Sequence, residues 1–243
     1  EFAGYYGKTS EEIKETLDRY GLKCVSVHQK LDFFDEDPDA ACAFLKGFGV
    51  RYVIVPWHGK DKLAGSDGWA ETVRDFNAKA EMLARHGMKL GYHNHDFEFE
   101  TYNGKYLHDY IFEAVPESLI EPELDTCWIH YAGIDPAAKI REFAGRVTLV
   151  HLKDFVCKNL GAGPVYDLID SNGKPMNKGS KEENGFEFCP CGSGRQDFAS
   201  ILKACEESGT ETVIVEQDKT YNSMTELEAA KISRDYLKNT FGI

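Results

Sequence analysis

Short apolar runs alternate along this chain with longer segments of helical period, and a glycine closes one helical segment after another. The runs cover residues 24–28, 52–56, 89–95, 121–125, 147–153 and 212–218. Their length and β-branched content predict strands buried on both faces. Helices are predicted from Ser10 onward, with Ile13 and Leu17 on one face, and over 39–48, 69–86, 106–114, 136–143, 197–208 and 225–239. Gly21, Gly49, Gly87 and Gly209 stand where a left-handed residue ends a helix. This cadence describes βαβ units, and so a parallel sheet with helices outside it. Residues 1–4 read as the end of one more strand, which makes seven. A closed α/β barrel of the (β/α)8 type, the TIM barrel, needs eight. The expectation is therefore a single TIM barrel domain over residues 1–243 that lacks its first βα unit. A doubly wound open sheet would carry a Gly-rich phosphate turn after its first strand. Gly192-Ser193-Gly194 lacks the rest of that fingerprint.

One stretch departs from the cadence. Residues 156–196 separate a strand from the next helix and are rich in Gly, Lys, Asn and Ser. Loops of this length are uncommon unless functional or mobile. This one follows the C-terminal end of a strand, the barrel face that carries active sites. It reads as a lid, or equally as a family decoration or oligomer contact.

Composition narrows the partners. With 28 basic against 41 acidic side chains the formal charge is −13, which opposes a phosphate backbone and argues against nucleic acid. No apolar stretch approaches the roughly 20 residues of a membrane span, and no signal peptide opens the chain. Seven cysteines, an odd number without framework spacing, suit a reducing cytoplasm. Cys189 and Cys191 are two ligands at most, too few for a zinc site.

Alternation along the strands sorts their polar residues. Leu90 and Tyr92 face the helices, so His93 and His95 point inward. Leu124 faces out, leaving Glu123 and Asp125 inside. Val150 and Leu152 face out, with Leu149, His151 and Lys153 inside. Val213 and Val215 take the helix side, and Ile214, Glu216 and Asp218 the interior. Four successive strands thus end with inward ionisable groups at one height. Uncompensated, they would cost several kcal/mol in a partly desolvated cavity. A divalent cation removes that cost, and mixed carboxylate and imidazole donors suit Mn²⁺, Zn²⁺, Co²⁺, Fe²⁺ or Mg²⁺.

These residues carry a resemblance. Tyr92-His93-Asn94-His95-Asp96-Phe97-Glu98-Phe99, Leu124-Asp125-Thr126-Cys127-Trp128, Val150-His151-Leu152-Lys153-Asp154 and Val215-Glu216-Gln217-Asp218 resemble the sugar phosphate isomerase/epimerase family of xylose-isomerase-like TIM barrels. Gly192-Ser193-Gly194-Arg195-Gln196-Asp197-Phe198 is similar to that family's short stretch before the last helix. The resemblance spans nearly the whole chain except residues 156–187. It implies one metal held by Glu, Asp, His and Glu from the fifth to eighth strands. Asp125, His151 and Glu216 match the last three. The fifth strand offers His93 and His95 where the pattern has Glu, with Glu98 or Glu100 as alternatives that fold back. His93 is the favoured ligand and His95 the favoured proton-transfer group. Losing one of two opposed glutamates weakens an epimerase reading.

The implied chemistry is proton abstraction next to a carbonyl, with a metal-stabilised enediolate. Either Glu216 or His95 serves as base. Lys153 holds a substrate oxyanion or phosphate, or else pairs with Asp154 or Glu123. His28 and Trp57 are candidate substrate contacts, and His86 and His108 read as surface groups. The leading expectation is a sugar or sugar phosphate isomerase/epimerase with a small carbohydrate substrate. A lyase or dehydratase resembling inosose dehydratases is the nearest alternative, and a non-catalytic sugar-binding subunit is a third. Apurinic-site endonucleases share the barrel, but the charge opposes DNA. A homo-oligomer is compatible with all of these readings.

Overall fold

Thr9 opens the first helix, α1 (Ser10–Tyr20), with a capping box. Its hydroxyl accepts from the Glu12 amide, and the Glu12 carboxylate accepts from the Thr9 amide. Gly21, at a φ of 64°, ends the helix in the left-handed conformation the sequence predicts there. In the computed structural model of this protein, which describes residues 1–169 and 174–243, the chain divides into two units. The first is Glu1–His93 with Asp109–Glu121; the second is Asn94–His108 with Pro122–Ile243.

In the first unit α1 is followed by β1 (Ser26–His28), α2 (Pro38–Gly47), β2 (Tyr52–Val55), α3 (Trp69–Arg85) and β3 (Lys89–His93). The three strands pair in parallel, Val27 opposite Val53 and Val53 opposite Leu90. Val27, Val53, Leu90 and Tyr92 are fully buried, as a sheet covered by βαβ helices requires. The predicted strand at residues 1–4 is reduced to one parallel bridge. The Phe2 amide donates to Ser26, and the His28 amide donates to Phe2.

The chain continues with a small hairpin, β4 (Thr101–Tyr102) and β5 (Lys105–Tyr106), then α4 (Leu107–Ala114) and β6 (Ile120–Asp125). In the second unit β6 pairs in parallel with β7 (Leu149–Leu152), and β7 with β12 (Thr212–Val215). Between β6 and β7 lie α5 (Thr126–Tyr131) and α6 (Pro136–Glu142); α7 (Phe198–Ser208) precedes β12 and α8 (Glu226–Phe241) follows it. Periodicity missed α5, because Thr126-Cys127-Trp128-Ile129-His130-Tyr131 has strand-like composition. Asp125 caps it directly from the strand end, accepting from the Cys127 and Trp128 amides.

Two strands stop two or more residues short of their predicted ends. β3 ends at His93, and β12 at Val215, itself 42% exposed. Val215 does face the last helix, but across an open cleft of about 600 Å³ that Ala229, Ala230 and Ser233 also line. Past β3, Asn94 replaces ladder pairing with its side chain: its Oδ1 accepts from the Asp125 amide and its Nδ2 donates to the Asp125 carbonyl.

The stretch 156–196, expected as a loop between a strand and the next helix, carries strands of its own. β8 (Asp154–Val156) pairs antiparallel with β11 (Glu187–Cys189), and β9 (Leu168–Ile169) with β10 (Pro175–Asn177). Residues 170–173 of that stretch lie outside the described residues. Phe155, Val165, Phe186 and Phe188 bury themselves against Cys127, Trp128 and Tyr131. That apolar contact is what orders the segment. The far end is fixed by Asp154, whose carboxylate accepts from the amides of Phe155, Gly192, Gly194 and Gln196. The Gly-x-Gly stretch is thus an anion-like nest filled by the protein's own carboxylate. At Gly194 a Cβ would lie 2.3 Å from Asp154 Oδ1.

Two outcomes are expected. Asp154→Ala leaves four amide donors unmatched and should lower stability by about 3 kcal/mol in urea unfolding; an unchanged midpoint would show that water satisfies the nest equally well. Asp96 anchors the segment by accepting from the Val165 amide, and burial pushes its carboxyl up to about 6. A carboxyl raised on folding favours the folded state while protonated. Its contribution is therefore present below about pH 4 and lost as the pH rises through about 6. Asp96→Asn should remove about 2 kcal/mol of that slope, read from unfolding midpoints at pH 4 and 7.

Candidate functional site

The ladder of β6, β7 and β12 decides which polar side chains share a face. Asp125 lies opposite His151, and His151 opposite Ile214. Side chains two apart point the same way, so Glu123, Asp125, His151 and Lys153 gather as alternation predicts. His151 is held at both nitrogens. Its Nε2 lies 3.2 Å from Glu123 Oε2, and its Nδ1 lies 2.9 Å from Glu216 Oε2. The Lys153 ammonium lies 2.8 Å from Glu216, 3.0 Å from Asp218 and 3.4 Å from Asp125. Its partners are therefore these three, not the Asp154 or Glu123 expected, because Asp154 is taken up by the turn at 192–196. Glu123, Asp125, His151 and Lys153 are all buried.

Burial by itself would push the Lys153 amine down. Asp125, Glu216 and Asp218 overcome this and hold it well above the usual lysine range. Burial raises the Asp218 carboxyl, against the pull of Lys153. The group remains acid-rich: four carboxylates face one ammonium and one imidazole.

Whether a divalent cation fits depends on the donors. Asp125, His151 and Glu216 each offer one ligand atom, all within 4.8 Å of one another. Ligands at about 2.1 Å from one ion stand up to about 4.2 Å apart, so small side-chain shifts close the trio. Glu123 supplies the outer carboxylate that a ligating imidazole characteristically has on its other nitrogen. Oxygen and imidazole donors suit a divalent ion, and the residues fit one. Asp125 serves twice, since its Oδ1 caps α5 while its Oδ2 faces Lys153. Burial pushes the Cys189 and Cys191 thiols up to about 12.

His95 lies just past the end of β3, outside the strand, in a stack on Trp128 with ring centroids 5.4 Å apart. Its amide donates to the buried Glu98 carboxylate, while Glu100 is exposed. The Lys153 ammonium lies 5.0 Å from the centroid of the same Trp128 ring, so one indole positions both candidate catalytic groups. Sequence reasoning assigned Trp128 no role. The signal was present in Asp125-Thr126-Cys127-Trp128, but no helix was expected between 121–125 and 136–143, so the turn that places the indole was not seen.

In the first unit, His93 Nδ1 donates to the Pro56 carbonyl, 3.2 Å away. A carbonyl only accepts, so the neutral ring keeps its lone pair on Nε2, the tautomer a ligand needs. His28 lies 5.0 Å from the His93 ring and is paired with Glu1 at 3.2 Å. Trp57 is half-buried just after β2. His108 is not a surface group as expected. It is fully buried and stacks on Phe99, because α4 turns that face into the core. His86 pairs with Asp39 at 3.0 Å. Among the described residues no helix is long and apolar enough to cross a membrane.

Comparisons with known proteins point one way on fold. The family model for the xylose isomerase-like TIM barrel matches residues 1–240. The inosose dehydratase of Clostridium beijerinckii is 26% identical over 263 residues, covering 100% of this chain and 85% of that protein. A sugar phosphate isomerase/epimerase from Parabacteroides distasonis superposes with a TM-score of 0.75 at 20% identity, over 100% of this chain and 87% of that one. The IOLI protein with a bound zinc atom superposes at 0.65 and 17% identity, over 98% and 84%.

Lys153→Met removes the ammonium from among Asp125, Glu216 and Asp218. Unfolding in EDTA should show a loss of about 3 kcal/mol, and saturating Mn²⁺ should restore most of it by binding the folded state. A loss in EDTA below about 1 kcal/mol would show that Lys153 is not the countercharge of this group.

Proposed function

This chain belongs to the xylose isomerase-like TIM barrel family, and from that membership we propose a metal-dependent lyase that dehydrates a keto-sugar or keto-cyclitol. The observation that carries it is the trio Asp125, His151 and Glu216, the first two fully buried and the third partly exposed, braced by Glu123 and Lys153. The proposal takes residues 1–243 as one barrel domain and adds His93 as the fourth ligand, with His28 and Trp57 contacting substrate. Two things favour dehydration over the isomerase/epimerase expectation. The curated relative just described is an inosose dehydratase, and His93 stands where the epimerase pattern has its second glutamate.

The ion, when bound, supplies fixed positive charge beside the substrate oxygen on which negative charge develops. The chain's own residues do the rest. His95 takes the proton from the carbon next to the carbonyl, its neutral imidazole being matched to that task near neutral pH. The electron pair moves toward the carbonyl oxygen. It returns to form a carbon–carbon double bond as the neighbouring C–O bond breaks. The protonated His95 then gives its proton to the departing hydroxyl, so water leaves and the base is reset. Lys153 keeps Glu216 and Asp218 oriented, and the Trp128 indole keeps His95 in place. Isomerisation shares the first step but returns the proton to carbon; it is the second reading, supported by the likeness to the sugar phosphate isomerase/epimerase fold.

Elemental analysis after Mn²⁺ reconstitution should find about one metal per chain. Asp125→Ala and Glu216→Ala should each lose it; full metal content in both would end the metal reading. His95→Ala should keep the metal and lose at least about 100-fold in kcat. The opposite pattern, metal lost in His95→Ala and kept in His93→Ala, would exchange their roles. In deuterated water, a panel of ketoses and keto-cyclitols should yield an ultraviolet-absorbing unsaturated product. Deuterium on carbon without elimination would make the protein an isomerase or epimerase. Substrate binding with neither outcome would make it a sugar-binding subunit.

A further inference from the structure

Asn94 stands between His93, proposed as the fourth ligand, and His95, proposed as the base. Alternation sends it away from the inward set, yet it is fully buried. A buried primary amide is costly unless its donor and acceptor are matched. The match here is the backbone of a single residue. Asn94 Oδ1 accepts from the Asp125 amide at 3.0 Å, and Nδ2 donates to the Asp125 carbonyl at 3.2 Å. The side chain thus replaces a ladder pair, and it does so from a chain that has already left the sheet, since β3 ends at His93. Just past it, the turn is held by Glu98, whose carboxylate accepts from the His95 amide at 2.8 Å.

Asp125 is held at several points at once. With its amide and carbonyl bonded to Asn94, its Oδ1 accepts from the Cys127 amide at 2.8 Å and the Trp128 amide at 3.4 Å. Its Oδ2 faces the Lys153 ammonium at 3.4 Å. These bonds close a circuit. Asn94 grips the Asp125 backbone, the Asp125 carboxylate caps Trp128, the Trp128 indole stacks on the His95 ring with centroids 5.4 Å apart, and one peptide bond returns from His95 to Asn94. The cap and the stack are contacts that many helix starts and aromatic pairs make. The Asn94 amide is the link that joins the two histidine-bearing residues to a strand 31 residues further on.

We infer that Asn94 is a positioning residue that fixes the Asp125 carboxylate relative to the His95 ring, and so the metal relative to the base. This role rests on the metal-dependent reading above and adds to it a residue that acts through two others. Proton abstraction beside a carbonyl needs the base at the carbon while the ion meets the oxygen, and a misplacement of about 1 Å costs on the order of 100-fold in rate. Two hydrogen bonds from one rigid amide to one residue set direction as well as distance, whereas a single bond would let Asp125 pivot.

The test reads the ligand and the base separately and does not depend on turnover. Asn94→Leu keeps the side chain's size and removes both hydrogen bonds; Asn94→Ala removes them without added bulk and takes its place if the leucine variant does not fold. Co²⁺ titrated into metal-free protein and followed by its visible absorption reports on Asp125. The His95 ring proton reports on the base, because stacking on the Trp128 indole moves it upfield. It is resolved in protein carrying ¹³C at the histidine ε1 position and identified by its absence in His95→Ala. In the Asn94 variant the Co²⁺ Kd should rise at least about tenfold, and the His95 proton should lose its upfield shift. A Kd within about twofold of wild type with an unmoved His95 proton makes Asn94 a packing residue and overturns the inference. A change in one readout without the other also overturns it, since ligand and base would then not be coupled through this amide. Wild-type protein that binds no Co²⁺ counts against the metal reading, and the His95 proton then decides the role of Asn94 by itself.

Discussion

In-register parallel pairing of β6, β7 and β12 is the constraint on which the chemistry of the second unit depends. Asp125, His151 and Ile214 stand side by side in that ladder, so the residues beyond them emerge at one level. A slip of one residue in any strand would send its whole polar set to the opposite face. Leu124, Val150 and Leu152 prevent that slip. They are fully buried on the other face, and reversing them would expose an apolar row while burying a charged one.

Given that register, charge balance governs what the group can hold. His151 bridges Glu123 and Glu216, while Lys153 answers Asp125, Glu216 and Asp218. The lysine makes the assembly tolerable as it stands, and the surplus of carboxylate leaves it receptive to a further cation. A buried group of this kind contributes little net stability compared with apolar packing. Its presence is better explained by binding chemistry than by folding.

Trp128 links this charge group to the long segment after β7. The indole contacts His95, Lys153, Phe186 and Phe188. The segment that departs from the strand–helix cadence is therefore built onto the site rather than appended to the surface. Asp154 completes the connection. By filling the turn at 192–196 with its own carboxylate, it fixes the stretch that leads back to the scaffold, and Gln196 in that turn donates to the Lys153 carbonyl.

Much of the fold and part of the site were legible in the sequence because they follow from local periodicity. Strand alternation placed Glu123, Asp125, His151 and Lys153 on one face, and glycine after helix marked the boundaries, with errors of up to three residues. Motif resemblance carried the family, which the matched model bears out. Tertiary structure alone decided the partners. Lys153 pairs with Glu216 and Asp218 rather than its neighbour Asp154, and Trp128 is turned by a helix that composition disguised. The physical reason is range. Period and propensity act over a few residues, whereas these contacts join groups tens of residues apart and are set by register, burial and the competition of several acids for each cation.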